Sequence, residues 1–282
     1  MNIDNIVTGE RLQNLADIYI GNDYYFQYNP NIAIQKYKQK NISTITNLQK
    51  YDNPKKIFCY TDLIEELSTV IDFFMNPFIL ITHNSDMNII ECDIFKKIIN
   101  CEKLICWYTQ NLSYIHDKIF FLPIGIANSQ WPHGNLNIFK YIFDNPREKT
   151  KNVFINFKIE TNYSKRKECF DKLHNIINFL PMVDPTSNII RMSEYKFCIC
   201  PEGNGLDTHR LWECYYLKIV PIVLRNTFTE NIKKTTDLPI IILDSWDDFS
   251  FNLPDYNSFD FEKGKHFLQM NYYIEKIQQK TT

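Results

Sequence analysis

The chain has 282 residues, 44% hydrophobic and 23% charged, with a net charge of −2, which suits one large globular domain or two smaller ones. No basic block exceeds Lys165-Arg166-Lys167, which argues against broad nucleic-acid binding through phosphate neutralisation but leaves room for a local anion site. No run of roughly 18 apolar residues occurs, and Met1 to Arg11 lacks the apolar core of a signal peptide, so no membrane span and a cytoplasmic location are expected.

In chain order, residues 15–28 read as a strand with an aromatic turn, and Lys55 to Tyr60 as a short buried strand. Thr61-Asp62 is expected to cap a helix with Leu63, Leu67, Val70, Ile71 and Phe74 on its apolar face, and Pro77 to end it. Phe78 to His83 is a strand followed by the polar loop Asn84-Ser-Asp86, and Ile89 to Asn100 a helix. Leu104 to Tyr108 and Lys118 to Leu122 are further strands, the second running into Gly125, Asn128, Trp131, His133 and Gly134. Strands alternating with helices predict a parallel sheet covered on both faces.

A seam falls at Asp144 to Lys151, charged and poor in apolar residues, and the same pattern then restarts. Asn152 to Phe157 reads as a strand, Ser164 as the cap of a helix to about Phe179, and residues 191–194 as a short helix. Strands Tyr195–Cys200, Ile219–Leu224 and Pro239–Leu243 follow, with a helix over Asp255–Gln279. The fold class expected is α/β, with two doubly wound domains, 1–148 and 149–258, facing a central cleft. Residues 259–282 would be a helix returning towards the first domain.

The richest stretch joins two of these strands: Phe197-Cys-Ile-Cys-Pro-Glu-Gly-Asn-Gly, then a helix bearing Arg210 and Glu213 three apart on one face. Strand-to-helix loops at carboxyl strand ends are where open parallel sheets hold ligands. The chain has only seven glycines, so Gly203 and Gly205 suggest close backbone approach or unusual dihedrals. Arg210 and Glu213 admit either an intrahelical ion pair or contacts to a nucleotide sugar, Arg on diphosphate and Glu on ribose. Asp207 or Thr208 would cap this helix. Glu202 admits contact with donor hydroxyls, and Asn204 lies between the two glycines.

Thr161 to Lys167 offers a strand end, a turn and a basic helix start, where free N–H groups and Arg166 would take phosphate oxygens. The alternative is a solvated first turn. In the first half, Asp86 is a candidate general base for a sugar hydroxyl, with His83 as its substitute. Asx residues after a strand are also ordinary turn formers.

Other chemistries fail on spacing. A phosphatase loop needs Arg six positions after its cysteine, but Leu206 stands six after Cys200; the serine-hydrolase elbow and the Walker A pattern are absent. The eight cysteines read as reduced, buried thiols; a zinc site at Cys198, Cys200, His209 and Cys214 lacks the usual knuckle spacing. No metal site is expected.

The motif Phe197-Cys-x-Cys-Pro-x-Gly, then Arg210-x-x-Glu213, then Val220-Pro-Ile-Val223 resembles the exostosin-type glycosyltransferases. The likeness is greater to the short exostosin-like transferases of large DNA viruses such as chloroviruses. Val153 to Phe157 with Thr161 and Arg166 resembles that family's diphosphate segment, and Thr82 to Asp86 and Leu122 to Gly134 its viral N-terminal pattern. The resemblance covers about 78 to 226. It implies a GT-B fold and an inverting transfer with no obligatory cofactor or metal. It further implies a UDP- or GDP-linked sugar held by the second domain and a glycan acceptor held by the first. By match, Glu213 would bind ribose, and Arg210 and Arg166 the diphosphate. Lys218 stands where the family has a glycine, and the membrane anchor of cellular exostosins has no counterpart here. The Asn-, Ile- and Lys-rich composition fits an AT-rich viral genome, hence a host-cytoplasm setting. The competing expectations are a non-catalytic nucleotide- or carbohydrate-binding protein, and a structural module with a protein partner.

Overall fold

A computed structural model describes residues 1–24, 36–44 and 54–280. The chain divides into two compact units: Val7–Gln130 with Met270–Thr282, and Met1–Ile6 with Trp131–Gln269. Each has its own parallel sheet flanked by helices, an α/β construction of Rossmann-like kind.

The first unit holds β1 (Ile18–Gly21), β2 (Gln39–Asn41), β3 (Lys56–Tyr60), β4 (Phe78–His83), β5 (Leu104–Thr109) and β6 (Ile119–Phe121). They lie in the order β2-β1-β3-β4-β5-β6, every pair parallel. All six residues of β4 are buried, as a strand covered on both faces must be. The two buried hydroxyls beneath it are satisfied: Thr82 donates to Thr109 Oγ1 at 2.7 Å and accepts from Trp107 Nε1 at 2.8 Å. The aromatic turn expected near Tyr25–Tyr28 lies outside the described residues.

Helix α1 (Gly9–Asn14) precedes β1, and α2 (Ile64–Val70) and α3 (Asp93–Ile99) cross between strands. Two helix starts differ from expectation. Thr61–Leu63 is a 3-10 turn entering α2 whose cap positions, Tyr60 and Leu63, make no side-chain cap bond, and the Asp62 carboxylate accepts from Ser85 Oγ at 2.6 Å. Helix α3 begins four residues later than Ile89, which instead forms a parallel bridge with Leu112. The helix Met270–Gln279 completes this unit, placing Met270, Tyr273 and Ile277 in its apolar core.

The second unit holds β7 (Lys151–Phe154), β8 (Tyr195–Ile199), β9 (Val220–Leu224) and β10 (Ile241–Leu243) in the order β10-β9-β8-β7, again all parallel. Its helices are α4 (Leu136–Asp144), α5 (Tyr163–Leu173), α6 (Pro185–Met192), α7 (His209–Tyr216) and α8 (Thr227–Thr236). The short helix expected at 191–194 is the end of α6, which starts six residues earlier at Pro185 behind the N-cap Asp184. The helix expected over Asp255–Gln279 is broken. Gly264 takes φ +76°, and a Cβ there would stand 2.1 Å from the Thr236 carbonyl, so the chain turns before the helix at Met270 can begin.

In α7, every residue from Leu211 to Tyr216 is buried, so its ends need partners. At its C-terminus Ile219 N–H bonds to Cys214 O at 2.8 Å and Lys218 N–H to Tyr215 O at 3.1 Å, a Schellman pair with Lys218 at φ +53°. A lysine thus holds the left-handed position that glycine favours. Lys149, from the seam, donates to Leu217 O and Ser193 O, both at 2.7 Å. These are the C-cap residues of α7 and α6, so one ammonium closes two helix ends. Burial pushes its pKa down to about 8.

Two outcomes follow from these helix ends. Lys218→Gly is expected to raise unfolding free energy by about 0.5–1 kcal/mol in urea titration, since it removes left-handed strain at a solvated side chain. For Lys149, folded pKa lies below the unfolded value, so above about pH 8 the unfolded chain binds more protons and the group's contribution to stability rises with pH. The stability of the wild type minus that of Lys149→Met should therefore grow by about 1–2 kcal/mol from pH 7.5 to 10 and stay flat below it.

Candidate functional site

The residues singled out around β8 lie together in the second unit. The strand stops at Ile199, and Cys200 and Pro201 lead into the glycine loop and α7. Neither Gly203 nor Gly205 has a positive φ. Close approach is what Gly203 supplies: a Cβ there would lie 3.3 Å from Thr208 Cγ2 and 3.4 Å from Arg166 Nη2. Asn204 is exposed at the loop tip and Gly205 is buried.

Helix α5 is joined to this loop by Asn162, which the sequence suggests as part of a turn with Thr161. Asn162, not Ser164, is the cap: its Oδ1 accepts from Lys165 N–H at 3.3 Å and its Nδ2 donates to Gly203 O at 2.6 Å. Asn beats Ser here because its amide can both accept from the helix and donate to the loop. Thr161, Ser164 and Lys165 remain exposed, whereas Arg166 turns towards the loop. Arg166 donates from Nε to Glu202 O and from Nη1 to Lys158 O, both at 2.9 Å, with its guanidinium over the Phe157 ring.

Arg210 donates from Nε to Glu213 Oε2 and from Nη1 to Asn156 O, each at 2.9 Å. The intrahelical pair is therefore made. Unlike a solvated pair, it is mostly buried, with 22% of the Arg210 side chain and 8% of the Glu213 side chain exposed. Among the described residues, Arg166 Nη2 and Glu213 Oε1 make no hydrogen bond, while the Arg210 guanidinium also lies against the Cys198 thiol. Burial, then the charge of Arg210, lowers the Arg166 pKa to about 10. Burial works against the Arg210 charge as well, but Glu213 and the neighbouring thiols outweigh it and raise the pKa. Two largely buried cations thus act on each other electrostatically.

Glu202 is half engaged, its Oε1 accepting from Asn226 Nδ2 at 2.8 Å. Asp207 does not cap α7. Its Oδ1 accepts from the buried Trp212 Nε1 at 2.6 Å, while Thr208 occupies the cap position without a side-chain bond. The imidazoles of His133 and His209 stand 5.8 Å apart between centroids, with the half-exposed Trp131 stacked on His133. Burial and then His209 lower the His133 pKa. That His133 meets the start of α7 had no signal in the sequence, where 75 residues separate it from His209.

The candidate bases lie in the first unit. His83 is buried, with Nε2 donating to Pro123 O at 3.1 Å and Nδ1 3.1 Å from Asn84 Oδ1. Asn84 takes a left-handed φ of +61° and links Gln110, Gln13 and Asn128 in one amide network. Asp86 is exposed, and its carboxylate has no hydrogen bond or ion pair among the described residues.

No family model and no curated protein matches this sequence. Among the described residues, no helix is long and apolar enough to cross a membrane.

Proposed function

We propose that the chain is a glycosyltransferase that moves a sugar from a UDP- or GDP-linked donor to a glycan hydroxyl, with inversion. The observation that supports this reading is Arg166 packed against Gly203 of the glycine loop and Arg210 on α7, two largely buried guanidiniums whose charges act on each other, beside the Glu213 carboxylate. A diphosphate is the ligand such a pair fits: two anionic groups, planar acceptors and a negative charge that grows as the leaving group departs. Glu213 Oε1 would accept from a ribose hydroxyl.

In the proposed reaction, the acceptor hydroxyl attacks the anomeric carbon as the bond from that carbon to the diphosphate oxygen breaks. Asp86 takes the hydroxyl proton; an exposed, unengaged carboxylate is free to do so, whereas both ring nitrogens of His83 are occupied. Arg166 and Arg210 stabilise the departing diphosphate, which makes a cation unnecessary to this step. The GT-B arrangement and the exostosin-like relationship belong to the same proposal, supported by two parallel α/β units and by the motif after β8.

Calorimetry with UDP and GDP tests the donor half. Arg166→Ala and Glu213→Gln should each weaken binding about 10- to 100-fold, with the circular dichroism of Arg166→Ala unchanged and Glu213→Gln folded but less stable, since it leaves Arg210 without its counter-charge. Equal affinity in wild type and both variants would overturn the assignment. Turnover in a panel of nucleotide sugars and glycans tests the base. Asp86→Asn should reduce it about 10²- to 10⁴-fold while donor affinity stays within twofold. A protein that binds nucleotide but transfers no sugar would be a non-catalytic binder of the same ligand.

A further inference from the structure

Five of the cysteines are dispersed; the remaining three meet at one point. Cys198 on β8 and Cys200 just beyond it share a strand face, while Phe197 and Ile199 point into the core on the other side. Cys214 reaches them from α7. All three are buried, their sulfurs lie within 4.8 Å of one another, and Cys200 Sγ and Cys214 Sγ are 3.7 Å apart. Three sulfurs each about 2.3 Å from a common ion would stand about 4 Å apart, so little movement is needed to hold one.

The geometry points to a binding site for a soft, three-coordinate cation, Cu(I), formed by Cys198, Cys200 and Cys214. Thiolate sulfur selects Cu(I) among first-row metals, and zinc prefers four ligands. No fourth histidine, cysteine or carboxylate among the described residues joins the group. Binding releases the three thiol protons, leaving a net charge of −2 on the site, and Arg210, whose charge acts on all three sulfurs, offsets part of it while still paired with Glu213. A cavity of about 20 Å³ touches Cys200 between Pro201, Thr208, Leu211 and Trp246. The site does not depend on the glycosyltransferase reading.

The full chain, reduced and anaerobic, can be titrated against a chromogenic Cu(I) chelator. One equivalent should transfer to the wild type. Cys198→Ala and Cys214→Ala should each weaken retention at least 100-fold, and Cys92→Ala should leave it unchanged. Copper-edge absorption on the loaded wild type should show three sulfur neighbours, a readout that needs no variant to fold. Transfer of no copper to the wild type, a two-sulfur spectrum, or an equal loss in Cys92→Ala would overturn the site.

Discussion

Arg210 fastens three parts of the second unit with one side chain. It grips its own helix through Glu213, the chain beyond β7 through the Asn156 carbonyl, and lies 5.5 Å over the Phe154 ring. Removing one partner of such a pair leaves the other charge buried and alone, which typically costs about 3–5 kcal/mol. The pair therefore fixes how α7 lies against the sheet, and with it the positions of Cys214 and the loop after β8. At the other end of the helix, the Lys149 ammonium and the left-handed Lys218 close the carbonyls. Helix α7 is held by charges at both ends and by apolar packing between them.

The electrostatic cost of this arrangement is visible in Arg166. Burial and a second guanidinium both disfavour its charge, yet it is kept in place by two backbone carbonyls. In the proposed donor role, an entering anion would relieve a repulsion that already exists between these like charges. Helix α5 takes part through Asn162, which ties its first turn to the same loop.

Strands were more legible in the sequence than helix ends. Strand β4 has the bounds its apolar run suggests, because burial on both faces leaves a continuous signal. Caps were read less well, since several polar residues in a row can each serve. Asn162 displaced Ser164, the Asp207 carboxylate accepts from the Trp212 indole of its own helix, and the Asp62 carboxylate accepts from Ser85. Within the site, the facing of Arg210 and Glu213 follows from helical spacing alone, and the structure brings Arg166 to the same loop. The convergence of three thiols and the meeting of His133 with His209 depend on tertiary packing that spacing does not encode. At Lys218 a lysine holds a left-handed, glycine-like backbone conformation, which spacing alone does not announce.

The division of the chain has a consequence for its synthesis. The six-stranded unit takes its strands from Val7–Gln130, but part of its core comes from Met270, Tyr273 and Ile277, and Tyr108 donates to the Lys276 carbonyl. All six strands leave the ribosome long before that helix is made. At about 5–20 residues per second, the nascent sheet waits on the order of ten seconds with this part of its apolar surface uncovered. The second unit, whose strands all lie in the later segment, can assemble during that wait. The sheet whose strands are made first is therefore the one whose core is closed by the later helix.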